Sequence, residues 1–195
     1  MGNARSERTT SAAAIDRIPR RGIFYGKRPI FQFVGLFVVF MGAFYVCALS
    51  DPMNKRFLPY YMQLNARMST GILNWFGEGA SVNGTSVMSP RYQVDIKHGC
   101  DAVEPSVLFI SAVLAFPSPI LSKIPGLLAG TLVLAVINLV RIVSLFYIGI
   151  HWHQYFETMH EDVWQAAFIL LALFLWVIWA WWSTGRRAPR GPVPG

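Results

Sequence analysis

The feature that most constrains this chain is a set of four apolar stretches, each close to the length that a bilayer demands. Residues 30–50 and 163–185 carry no charge, 105–122 carries none and extends back toward Cys100, and 124–150 is interrupted only by Arg141. A helix needs about 20 apolar residues to cross a membrane. Of the 195 residues, 54% are hydrophobic and only 14% are charged, too apolar for a soluble domain of this size. The expected fold is an all-α integral membrane protein, a four-transmembrane-helix bundle with helices at about 30–50, 101–118, 124–151 and 161–184.

The net charge of +7 would by itself suit nucleic acid or anionic lipid, but its distribution argues otherwise. Residues 1–29 hold seven Lys/Arg, Lys123 lies in the turn between two apolar runs, and Arg186, Arg187 and Arg190 follow the last one. The segments 51–104 and 151–162 together hold five Lys/Arg against eight Asp/Glu. Loop charge therefore alternates as the positive-inside rule requires, which puts both termini in the cytoplasm. The basic groups flank helices and form no patch, so no nucleic-acid partner is expected. Residues 1–22 read as a disordered basic segment, 23–185 as a single membrane domain and 186–195 as a basic tail. Arg20-Arg21 is topogenic charge, and Phe44-Tyr45-Val46 before Cys47 is too bulky for a lipoprotein cleavage site, so the first helix is expected to stay. Two cysteines, Cys47 and Cys100, do not make a disulfide framework.

Residues 51–99 are expected outside the cytoplasm. Within them Leu64, Met68, Ile72 and Phe76 recur at helical spacing, with Gln63, Asn65, Arg67 and Asn74 interspersed, which predicts an extracytoplasmic amphipathic helix on the membrane face. Val82-Asn83-Gly84-Thr85 is a hairpin-turn signal. Residues 91–97 then alternate, Tyr92, Val94 and Ile96 against Arg91, Gln93, Asp95 and Lys97, so a small β-hairpin is predicted, ending at Gly99-Cys100.

Topology brings three reactive groups to one side. The helix that follows Cys100 runs inward and the next runs outward, which places Arg141 near its outer end; His160 opens the last helix, again outside. Cys100 follows a glycine and precedes a helix, where the dipole and free N–H groups favour thiolate; Asp101 and Glu104 oppose this and call for a nearby cation. Its bland alternative is a small buried hydrophobe. Arg141 costs roughly 2.5–3.5 kcal/mol to insert, so either it snorkels outward or it serves a purpose. That purpose would be fixed positive charge for a thiolate, an oxyanion or a carboxylate, with Asn138 one turn deeper helping to satisfy the guanidinium. His160 is an acid–base candidate or an ordinary polar cap. His151, His153, Glu157 and His160 are close enough in sequence to suggest metal, but His160-Glu161-x-x-Trp164 lacks the second histidine of the zinc-protease pattern. Neither a metal nor another cofactor is expected.

These residues resemble the exosortase/archaeosortase family of membrane transpeptidases, in particular the exosortase H branch. The resemblance rests on Gly99-Cys100-Asp101, on Asn138-Leu139-Val140-Arg141-Ile142-Val143-Ser144, on His160 followed by Trp164-Gln165, and on AVLAFPSP at 112–119, and it spans about residues 90–180. It implies Cys100 as nucleophile completed by Arg141 and His160, with Asn138, Gly99, Asp101 and Trp164 in supporting or substrate-binding positions. It further implies substrates that are secreted proteins bearing a C-terminal motif, a transmembrane helix and a basic cluster. Their new carboxyl end would pass to an amine-bearing surface acceptor, at the periplasmic side of a bacterial inner membrane. A non-catalytic membrane scaffold and a metal-dependent membrane protease are the alternatives that the residues leave open.

Overall fold

The computed structural model describes residues 28–96 and 101–185. The chain clusters into two units, Met1–Gln32 and Phe33–Gly195; of the first, only the opening turn of a helix is described. Among the described residues five α-helices follow in order: α1 Arg28–Ala48, α2 Leu58–Trp75, α3 Val103–Ala115, α4 Ile120–His151 and α5 Trp164–Gly185. A π-helical turn, Met53–Phe57, leads into α2, and another, Thr158–Val163, leads into α5. Among the described residues three segments are long and apolar enough to cross a membrane: Pro29–Ala48, Ile120–His151 and Thr158–Gly185.

The segment expected at 101–118 departs from that pattern. Its helix, α3, has 13 residues and rises only about 20 Å, short of the roughly 30 Å of a hydrocarbon core. Prolines stop it. Phe116 and Ser118 each precede a proline, which disfavours helical backbone, and Phe116 is extended with ψ 134. The lost length does not leave α3 peripheral. Phe109 and Val113 are buried against α4 and α5 in a core with Leu134, Phe168, Ala172 and Trp179. Close approach is possible because α4 carries Gly126 against the Trp179 ring and Gly130 against the Phe109 ring, where any Cβ would collide. Trp179 also donates its indole N–H to the Ser122 carbonyl (2.9 Å). The helix α1 meets this core at its edge, through the Phe33 ring against Phe116 and Trp176.

The second core is of mixed construction. The predicted hairpin is present, but as part of a three-stranded antiparallel sheet, β1 Ser81–Asn83, β2 Ser86–Met88 and β3 Gln93–Asp95, in the order β1-β2-β3. Gly84, at φ +62, supplies the left-handed turn between the first two strands. The alternation read at 91–97 holds for Val94 and Ile96, which are buried with Val87 against Leu58, Met62, Ala66 and Leu73 of α2 and Ile142, Leu145 and Phe146 of α4. Gly149 lets the Tyr92 ring lie directly on α4.

In α2 the helix is as expected, with its apolar stripe turned outward. Leu64, Met68 and Phe76 of the apolar stripe are exposed, whereas Asn65, Ser69 and Thr70 are buried against the bundle with Leu58, Met62, Ala66 and Leu73. The apolar stripe points away from the protein, and a mixed face does the packing.

Candidate active site

Arg141 is the largest side chain fully buried among the described residues, with 1% of its surface exposed. It lies ten residues before the end of α4, about 15 Å along the axis. Burying a guanidinium is tolerable where hydrogen bonds and polarisable neighbours replace water. Here Nη2 donates to the His160 carbonyl at 3.0 Å, and the guanidinium carbon lies 5.5 Å from the Phe168 ring centroid, within cation–π range. The structure thus brings Arg141 and His160 together, through the histidine's backbone. His160 stands in the π-helical turn Thr158–Val163, half-buried, its ring stacked on Phe156 at 5.9 Å and 9°. Such extra-wide turns recur at functional sites because they re-aim side chains. Trp164, half-buried, follows at the head of α5 and packs on Phe168.

Asn138 is buried one turn before Arg141, but its amide serves another partner than the guanidinium. Its Nδ2 donates to Asn65 Oδ1 of α2 at 3.3 Å, and Asn65 in turn donates to the Tyr61 carbonyl at 3.0 Å. Asn138 Oδ1 has no hydrogen-bond partner among the described residues. Burial pushes the Tyr61 phenol above its ordinary range, an Asn65 hydrogen bond works against this, and the Asp101 carboxylate adds to the rise. Tyr61 also lines a cleft of about 520 Å³ with Val103 and Ser106, the opening turn of α3. Tyr61 and Asn65 were not singled out as functional by the sequence, which offered a polar residue among several on α2 and no sign of which would face inward.

Cys100 and Gly99 lie outside the described residues, so the geometry of the thiol is not part of this structure. The chain is described again from Asp101, which is buried and accepts the Val103 N–H at 3.1 Å. A carboxylate at that helix N-terminus is favoured by the dipole. Ala102 follows at φ +55, a left-handed conformation that costs a non-glycine residue roughly 1–2 kcal/mol, and its carbonyl accepts both the amide (3.2 Å) and the hydroxyl (2.7 Å) of Ser106. Strain of that kind gathers where the surrounding fold fixes a functional geometry.

The metal question has a specific answer. Ligand atoms of Glu157, His160 and Glu161 lie within 4.8 Å of one another, with both glutamates exposed. His151 and His153 do not join them: His151 Nδ1 lies 3.0 Å from the Tyr147 carbonyl and His153 Nδ1 3.4 Å from the Tyr92 hydroxyl. Two carboxylates and an imidazole could hold a divalent cation, at the expense of the imidazole's freedom to move protons.

Residues 22–177 match the family described as transmembrane exosortase. The chain belongs to that family. The match takes in α1 to α4 and most of α5, including Asn138, Arg141, His160 and Trp164. No curated protein and no solved structure matches this exosortase chain. Family membership, with the apolar helices, supports a membrane protein and suggests a transpeptidase or protease activity.

Proposed function

We propose that this exosortase is a cysteine transpeptidase of a bacterial inner membrane. It would cleave a C-terminal sorting signal from secreted proteins and transfer the new carboxyl end to an amine on a surface acceptor. In this reading both termini are cytoplasmic, α3 counts as a fourth, shortened wall of the bundle, and the site faces the periplasm. The Cys100 sulfur attacks the scissile carbonyl carbon, and Arg141 holds the thiolate or the developing oxyanion. The C–N bond then breaks and the leaving amine takes a proton from His160. An incoming amine attacks the thioester, gives its proton to His160 and releases the thiolate. The observation that supports this most is the buried Arg141 guanidinium held on the His160 backbone, since a cation sequestered there costs too much to be idle.

The test uses membranes containing the full chain and a tagged protein with a C-terminal motif, transmembrane helix and basic cluster. A Cys100-linked acyl intermediate is expected, and Cys100→Ala should abolish processing while the protein still inserts. Full processing by Cys100→Ala overturns the reading. The Glu157, His160 and Glu161 grouping favours a metal-dependent protease as the second reading. That enzyme would be stopped by a chelator and indifferent to a thiol alkylator.

A further inference from the structure

We propose that Asn65, on α2, is a positioning residue of the exosortase site: through Asn138 it fixes the segment of α4 from which Arg141 projects. The inference rests on the reading of Cys100 and Arg141 given above.

Three observations carry it. Asn65 is the α2 side chain that makes a buried polar bond to α4, accepting from Asn138 Nδ2 at 3.3 Å. Asn138 is wholly buried and its carbonyl oxygen has no described partner, so the Asn65 bond is what orients that amide. Asn138 and Arg141 are three residues apart and therefore share a face of α4, and Arg141 in turn is bonded to the His160 carbonyl. An unbroken series thus runs from α2 through Asn65 and Asn138, along α4 to Arg141, and across to His160. A buried polar bond specifies register in a way that apolar contacts do not, because the alternatives leave polar groups unpaired. On the other flank Tyr61, one turn before Asn65, lines the cleft beside Val103 and Ser106. The helix α2 therefore borders the same cleft as the α3 terminus that follows Cys100 and is bonded to the α4 segment that carries Arg141.

The experiment uses the full chain in membranes, with Cys47→Ser to remove the exposed free thiol. The probe is iodoacetamide, and the readout is the Cys100 alkylation rate at neutral pH. Arg141→Ala is the reference for a lost cation. Asn65→Leu, of similar size but without the acceptor, should slow alkylation about tenfold, the scale of one lost hydrogen bond in a fixed geometry. Asn65→Asp keeps the acceptor and should stay within about threefold of the parent. A packing role alone predicts the reverse order, since a buried carboxylate is tolerated less well than leucine. Ser69→Ala, on the same buried face and without a bond to α4, should leave the rate unchanged. Should Asn65→Leu fold poorly, the pair Asn65→Leu with Asn138→Leu removes both partners and restores packing, and it should be as slow as the single change. Parent-like alkylation in Asn65→Leu, or in the pair, beside a slow Arg141→Ala overturns the Asn65 proposal and leaves the enzymatic reading standing. Leucine outperforming aspartate also overturns it. A parent-like Arg141→Ala overturns both.

Discussion

The protein has two cores of different make, and Arg141 lies at their seam. One is helical throughout, Phe109 and Val113 of α3 against Leu134 of α4 and Phe168, Ala172 and Trp179 of α5. The other mixes α2, the three-stranded sheet and the far half of α4, with Val87, Val94 and Ile96 against Ile142, Leu145 and Phe146. Along α4, Leu134 belongs to the first and Ile142 to the second, and between them come Asn138 and Arg141, both buried. Polar groups have been concentrated at the boundary, where each core can supply them with partners: Asn65 from the mixed side, His160 and Phe168 from the α5 side. A site placed inside either core would have had to break a continuous apolar packing.

Unequal responses to damage would sharpen this contrast. Phe109→Ala empties the centre of the helical core and should cost about 3–5 kcal/mol, lowering the thermal unfolding of the whole protein in detergent. At the seam, Arg141→Lys should cut processing at least about a hundredfold, because an ammonium cannot reproduce the guanidinium fork. Near-normal turnover would reduce Arg141 to an anchor. Val87→Ala in the mixed core should cost about 2 kcal/mol and show as faster amide exchange across residues 81–95 while α3 to α5 keep their protection. Uniform loss of protection would mean that the two cores unfold as one. Gly149→Ala drives a methyl into the Tyr92 ring and should cost about 1–3 kcal/mol, with the sheet's attachment to α4 loosened.

The smallest effect concerns Tyr92. Burial, and after it the Glu157 charge, hold its phenol above the ordinary value. A raised phenol contributes stability that is fully present below pH ~10 and is lost as pH rises through the folded value. Glu157→Gln should lower the midpoint of the phenolate absorbance change, assigned by difference from Tyr92→Phe, yet leave it above the ordinary value because burial is the larger cause. No movement would mean that Glu157 is not felt at the sheet.

Much of the helical core was legible because long uncharged runs have few alternatives, and α1, α4 and α5 fall where hydropathy places them. The length of α3 was less so: 105–122 is apolar throughout, and the stop comes from Pro117 and Pro119, which hydropathy counts ignore. At the site, Arg141 and His160 stood out by chemistry and are joined, though by a backbone carbonyl that no residue type advertises. Asn65 was hidden among Gln63, Arg67 and Asn74, since a helix whose apolar stripe faces outward reverses the usual rule for finding its buried side. The left-handed Ala102 left no trace in the sequence, and the first strand, Ser81–Asn83, is too short to show a period.

The brevity of α3 has a consequence for lipid and water. Beside α4, which at 32 residues rises about 48 Å, α3 is less than half as long. Acyl chains meeting so low a parapet must tilt or thin, or the gap must hydrate. Under the proposed transfer reaction, a dimple of that kind would let a hydrophilic acceptor descend toward the reacting end of a lipid-embedded polypeptide without that polypeptide being drawn out of the membrane.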